Sequence, residues 1–182
     1  APGSSNKMTA EIRRTAYGVP HIKANDYAGL GFGIGYASAE DNVCEIAERM
    51  FTVMGERAKH LGAGENNANV NSDLYHKRII QSGELKKLLS GPKGSPDTPS
   101  ADARALVRGY AAGYSRYIRD TGAANITDPR CKGAPWVREI TDTDFWRHMF
   151  VGQTVDSFFA PVATAQPPGV DHAMADDPYE DT

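Results

Sequence analysis

No apolar run in this 182-residue chain approaches the ~18 residues that a membrane-spanning helix needs, so no membrane partner is expected. An excess of positive charge is also missing. Twenty Lys and Arg stand against 23 Asp and Glu, for a net charge of −3. Non-specific nucleic-acid binding runs on basic patches, and no nucleic-acid partner is expected either. The chain has no G-x-S-x-G elbow, no H-E-x-x-H pair and no C-x-x-C. Those absences remove the hydrolase, zinc-protease and dithiol chemistries that such motifs mark. Cysteine is scarce, with Cys44 and Cys131 alone. They form either one disulfide in an oxidising space or two buried thiols, and their spacing leaves both readings open. Ala1-Pro2-Gly3-Ser4-Ser5 opens the chain where Met would stand. Small residues of this kind are what signal-peptide removal leaves, which predicts a secreted protein; trimming would leave the same end.

What is present describes a single α+β domain over residues 1–182, with 1–7 and 161–182 irregular. The chain is 40% apolar and 24% charged, enough for one real core. Met8, Ala10 and Ile12 alternate with Thr9, Glu11 and Arg13, the period of a half-buried strand. Tyr17-Gly18 turns the chain, and Val19–Ala24 returns as the second strand of a hairpin. In Gly29–Tyr36 glycine alternates with large apolar residues. We expect an extended segment whose bare face admits close approach of another element. A phosphate loop is ruled out there, because the last glycine of G-x-G-x-x-G falls on Tyr36 and no Walker lysine follows.

Four helices are expected next. Ser38-Ala39-Glu40-Asp41 resembles a capping box. Behind it Val43, Ile46, Met50, Val53, Met54 and Leu61 mark a helix of about six turns, closed by Gly62. Residues 63–72 read as a polar loop, and Leu74–Leu89 as a weaker helix broken at Gly83. Residues 91–100 are a proline-rich connection. Ala103, Leu106, Val107, Tyr110, Tyr114, Tyr117 and Ile118 stripe the third helix, and residues 121–140 are irregular. Thr141–Asp144 caps a fourth helix rich in aromatics, ended by Pro161. Five acidic and no basic residues follow from Asp171 onward. A two-stranded hairpin is marginal alone, so a second polypeptide is expected to complete the sheet.

Chemistry-bearing groups are many but unassembled. None of His21, His60, His76, His148 and His172 pairs at i,i+4 with another ligand-type residue on a convincing face, and neither metal nor cofactor is expected. Glu40/Asp41 and Asp142/Asp144 have capping or surface roles. A scaffold without nucleophile or base suits two classes: a non-enzymatic helical interaction protein docking through its aromatic helix, or one half of a divided enzyme.

Four segments, taken together and in order, resemble penicillin-acylase-type N-terminal-nucleophile hydrolases. Ile12-Arg13-Arg14-Thr15-Ala16-Tyr17-Gly18-Val19-Pro20-His21-Ile22 is similar to their opening hairpin, I-x-R-D-x-x-G-V-P-H-I, with Thr15 in place of the usual Asp. Gly33–Asp41 resembles their entry to the first long helix. Gly55-Glu56-Arg57 with Leu61-Gly62 resembles its exit, and Ala134–Arg138 precedes a helix with Phe150-Val151-Gly152. Details around Cys44 and Cys131 look closer to the branch of acyl-homoserine-lactone and aculeacin-type lipopeptide acylases. The resemblance implies a small α subunit of a self-processed heterodimer, completing an αββα sandwich with a β subunit. It also implies that the nucleophile is the β subunit's N-terminal serine, with its own amine as base and the oxyanion donors in β. No catalytic residue is then expected in this chain. Thr154, Ser157 and Phe158 would line the acyl pocket, and Ser157, where penicillin G acylases carry arginine, would suit a longer apolar tail. Thr164 falls where those enzymes have a calcium-binding glutamate, so no metal ligand is expected. A penicillin or cephalosporin acylase is the alternative substrate reading.

Overall fold

The computed structural model describes residues 7–152. Two short strands, β1 (Glu11–Arg14) and β2 (Pro20–Lys23), pair antiparallel, with Ile12 opposite Ile22 and Arg13 opposite His21. The period-2 pattern holds: Met8, Ala10, Ile12 and Ile22 turn inward, while Thr9, Glu11, Arg13 and His21 are exposed. Gly18, at φ +79°, makes the turn, a conformation that only glycine adopts without cost.

The glycine-rich stretch is helical, not extended. Helix α1 runs over Tyr27–Val53, and its N-cap Asp26 accepts a 2.7 Å bond from Gly29 N. The alternation serves two helix faces rather than one strand face. Positions two apart lie about 200° apart around a helix, and positions four apart lie nearly in line. Gly31 and Gly35 therefore share one face, against α5 (Ala101–Thr121). A Cβ there would sit 2.0 Å from Leu106 O and 2.1 Å from Tyr110 O. The contact is reciprocal: a Cβ on Gly109 or Gly113 would lie 2.1 Å from Ala28 O or 2.0 Å from Phe32 O. Gly29 and Gly33 face the other way, onto Thr9, Ala10 and Ile22. Bare backbone does admit close neighbours, as expected, but on both sides of a helix.

Ser38-Ala39-Glu40-Asp41 lies inside α1 and caps nothing. Its acids instead hold the hairpin. Arg14 pairs with Glu40 at 2.9 Å and Asp41 at 3.0 Å, and donates to Gly18 O at 2.9 Å. The helix kinks just after, where Asn42 leaves helical geometry (φ −142°, ψ 37°).

The expected six-turn helix to Leu61 is two pieces. Gly55, at φ +70°, breaks it after α1, and α2 (Arg57–Leu61) follows, ended at Gly62. Buried Asp73 caps α2 from a distance, accepting from Arg57 N at 2.7 Å and Ala58 N at 2.8 Å. Helix α3 (Ala68–Ser82) begins inside the stretch expected to be loop, and Gly83, left-handed at φ +71°, divides it from α4 (Glu84–Ser90). Ser100 caps α5 by accepting from Ala103 N at 3.1 Å. After an irregular stretch the chain is helical again over 142–152, here α6. Among the described residues the expected four helices are thus six α-helical segments, divided at Gly55 and Gly83.

The core joins α1 to α5 and to the irregular stretch: Val43, Cys44, Ala47, Met50, Ala111, Tyr114, Ile118, Ile126, Cys131, Val137 and Ile140 are buried together. Cys44 and Cys131 form a disulfide across 87 residues, which settles the open question against free thiols. Loop-closure entropy over that span contributes about 4.6 kcal/mol. No described helix is long and apolar enough to cross a membrane.

Candidate functional site

Helix α6 leads toward the residues expected to line a pocket, and it is firmly mounted at its start. Thr141 donates through its N–H and its hydroxyl to Asp144 Oδ2 (2.9 and 2.7 Å), and Asp144 N–H donates back to Thr141 Oγ1 at 3.2 Å. This reciprocal box satisfies the orphan donors of a helix N-terminus, as the sequence predicts. Asp144 also takes a 2.8 Å bond from Arg147. One residue upstream of the box, buried Ser115 on α5 donates to Ile140 O at 3.1 Å and accepts from Ile140 N at 3.0 Å. Tyr110 of α5 stacks on Phe145 of α6, their centroids 4.0 Å apart. Burial raises the Tyr110 phenol above its ordinary pKa, so it stays neutral in this stack.

A cleft lies on each side of α6. One, of about 430 Å³, is apolar and walled by α3, α4 and α6. The other, of about 570 Å³, is lined by Glu45, Arg49, Arg57, His76 and His148 among others. Burial, with Arg49 adding to it, holds the His148 imidazole below its ordinary pKa, so His148 is neutral at pH 7.

A second knot ties the α1–α2 corner. Arg57 donates to Asn69 at 3.0 Å, Glu48 at 3.0 Å and Thr52 at 2.8 Å. Glu56 accepts from Arg138 at 2.7 Å and lies 3.4 Å from His60. Burial pushes the Glu56 carboxyl up, but Arg138, His60 and Lys59 outweigh it and hold the pKa below the usual value. The Gly55-Glu56-Arg57 motif is therefore structural: a turn, a tie to the irregular stretch, and a tie to α1 and α3.

Among the described residues no nucleophile meets a free base. Ser72 Oγ lies 3.4 Å from His76 Nδ1, a pair the sequence reading missed. The same nitrogen sits 2.7 Å from Ser72 O. A carbonyl only accepts, so Nδ1 carries its proton and cannot take one from the hydroxyl. No described group of three His, Cys, Asp or Glu is placed to hold a metal. His21 is exposed on β2 and His60 packs on Phe51 at 5.2 Å. Thr154, Ser157 and Phe158 follow Gly152 at two, five and six positions, outside the described residues, as do Thr164 and His172.

Residues 9–166 match the penicillin amidase family. The chain belongs to that family. This penicillin amidase family chain is 45% identical over 139 residues to aculeacin-A acylase of Actinoplanes utahensis, covering 76% of this chain and 18% of that protein. It is 39% identical over 165 residues to the acyl-homoserine lactone acylase PvdQ of Pseudomonas syringae pv. tomato, covering 87% of this chain and 20% of that protein. The chain thus spans about a fifth of the length of these curated relatives. Among solved structures, a thermostable penicillin G acylase from Alcaligenes faecalis superposes with a TM-score of 0.67 at 27% identity, over 84% of this chain and 75% of that chain. The motifs that carried the resemblance are, within this penicillin amidase family chain, the joints of its scaffold: Arg14 on Glu40 and Asp41, Glu56 on Arg138, and Arg57 on Glu48.

Proposed function

We propose that this chain is the small subunit of a secreted, heterodimeric amidohydrolase that removes a fatty acyl chain from an amide, with a lipopeptide or an acyl-homoserine lactone as substrate. The observation that carries the reading is a contrast in coverage. The chain spans about a fifth of two acylases that it resembles at 45% and 39% identity, yet it covers 75% of one chain of a solved acylase. A piece of this size is thus a chain of its own in a relative. The two relatives named for lipophilic amides stand above the penicillin G acylase in identity, which favours a fatty acyl substrate over a β-lactam.

In this reading a self-processed precursor supplies a large β subunit whose first residue is serine. Its hydroxyl oxygen attacks the amide carbonyl, its own α-amine takes the hydroxyl proton and passes it to the leaving amine, and water then cleaves the acyl ester. That division of labour explains a well-built chain in which no nucleophile meets a free base among the described residues. Both outer edges of the β1–β2 hairpin are unpaired among the described residues, and the β subunit's strands would extend them into the αββα sandwich. Tyr17, almost fully exposed at the hairpin tip, would be covered there. Thr154, Ser157 and Phe158, two, five and six positions after Gly152 in sequence, would line the acyl pocket. The disulfide supports secretion, because such bridges persist in oxidising compartments.

The test is purification of the native protein with mass analysis of its chains. A large companion beginning with serine, and release of free fatty acid by the pair, is the expected result. A lone 182-residue chain with no companion would overturn the reading. Within the pair, Phe158→Ala should lower kcat/KM for long acyl chains about thirtyfold, the factor equivalent to ~2 kcal/mol of lost apolar contact, and leave short chains little changed. Equal loss at every chain length would remove Phe158 from the pocket.

A further inference from the structure

The apolar cleft between α3, α4 and α6 is lined by none of the residues named for the proposed reaction. We propose that it is a separate binding site for a single-chain amphiphile with an anionic head, of the class of long-chain carboxylates. Its walls come from three elements: Ile79 and Ile80 at the end of α3, Leu85 and Leu89 on α4, and Phe150 on α6. At about 430 Å³ it is within the ~300–1,000 Å³ range of small-molecule pockets. The walls are fixed rather than loose. Arg104 of α5 donates to Leu89 O at 2.7 Å and so anchors the end of α4, and the Thr141–Asp144 box anchors α6. The mouth is open at the α3–α4 turn: a Cβ on Gly83 would meet nothing within 4 Å.

Apolar walls alone would accept many occupants, and the charges beside them narrow the choice. Lys86 and Arg147 both line the cleft. Arg147 gives one N–H to Asp144 at 2.8 Å, which orients the guanidinium and leaves other donors for a ligand. Lys86 makes no ion pair among the described residues. Residues 68–90 carry Lys77, Arg78, Lys86 and Lys87 against Asp73 and Glu84, a basic stretch in a chain of net charge −3. An apolar slot with two cations beside it matches a hydrocarbon tail ending in a carboxylate. The site does not rest on the amide-hydrolysis reading, because binding is measured without turnover.

The experiment uses the protein assembled as purified from its source. Dodecanoate bearing a diazirine is photo-crosslinked, and the labelled peptides are mapped by mass spectrometry. Saturable label in residues 79–90 or 143–150 is expected. Unlabelled dodecanoate should compete at a concentration at least tenfold lower than dodecyltrimethylammonium. Affinity should rise about fourfold per added methylene from eight to twelve carbons. Lys86→Glu, at an exposed position, should cut the label about tenfold and leave the thermal midpoint unchanged. Ile80→Asp, at a wall position already 37% exposed, should abolish it. Label found only elsewhere, equal competition by the cationic amphiphile, or no effect of Lys86→Glu would overturn the proposal. So would absence of label because the rest of the assembled protein fills the cleft.

Discussion

The α1–α5 pair and the α3–α4–α6 arm are built in opposite ways. In the pair, four glycines bring two helix backbones into direct contact where they cross. In the arm, glycine sits at a turn in open space, the helices are short, and clefts stay open on both sides of α6. The first arrangement gives rigidity without surface chemistry. The second gives surface and leaves rigidity to a few polar joints. The proposed role beside a companion chain would draw on both: a frame that does not yield, and faces that are not already filled.

Four changes test that contrast, beginning with the largest expected effect. Gly113→Ala puts a Cβ 2.0 Å from Phe32 O, so two helix backbones must part. The loss should exceed about 4 kcal/mol in denaturant unfolding, at the extreme of single substitutions. Gly83→Ala, with nothing within 4 Å, should cost only its left-handed backbone, about 1–2 kcal/mol. Equal losses would end the distinction between the two halves. Ser115→Ala tests the joint between them. It strands the buried N–H and C=O of Ile140 and should cost about 2 kcal/mol, read as a lower thermal midpoint; no change would mean that α6 is held by stacking alone. His148 tests the open side. Its folded pKa lies below the ordinary 6.5, so between those two values the unfolded chain binds more protons than the folded one. Stability should therefore fall as pH drops below 6.5 and recover above it. Glu45, Glu48, Arg49, Arg57 and His76 line the same cleft. His148→Gln should flatten this leg of the midpoint-against-pH curve, and an unchanged slope would assign it to another group.

The hairpin, the Gly83 break, α5 and the Thr141 box were legible because each rests on local rules: period, left-handed glycine, side-chain caps. The glycine stretch misled because two helix faces, each with glycine every fourth residue and offset by two, produce the period of a strand. Apolar Leu30, Phe32, Ile34 and Tyr36 reinforced that period. Ser38–Asp41 has the form of a cap, but its acids were committed to Arg14, a partner more than twenty residues away that no local rule sees. Gly55 was the available signal that α1 could not reach Leu61, and it was already part of a recognised motif. Ser115 carried no signal at all, since a serine in an apolar stripe looks the same whether it holds a distant backbone or faces water. The candidate pocket residues were reached through family resemblance only, because lining a cavity shared with another chain leaves no periodic trace.

The bond between Cys44 and Cys131 encloses the α1–α2 corner, α3, α4, the proline-rich connection and all of α5 within one covalent ring. A protease that nicks the 91–100 connection therefore opens the ring without freeing either fragment. Under the proposed self-processing, such a ring would separate cuts that release a piece from cuts that leave the chain whole.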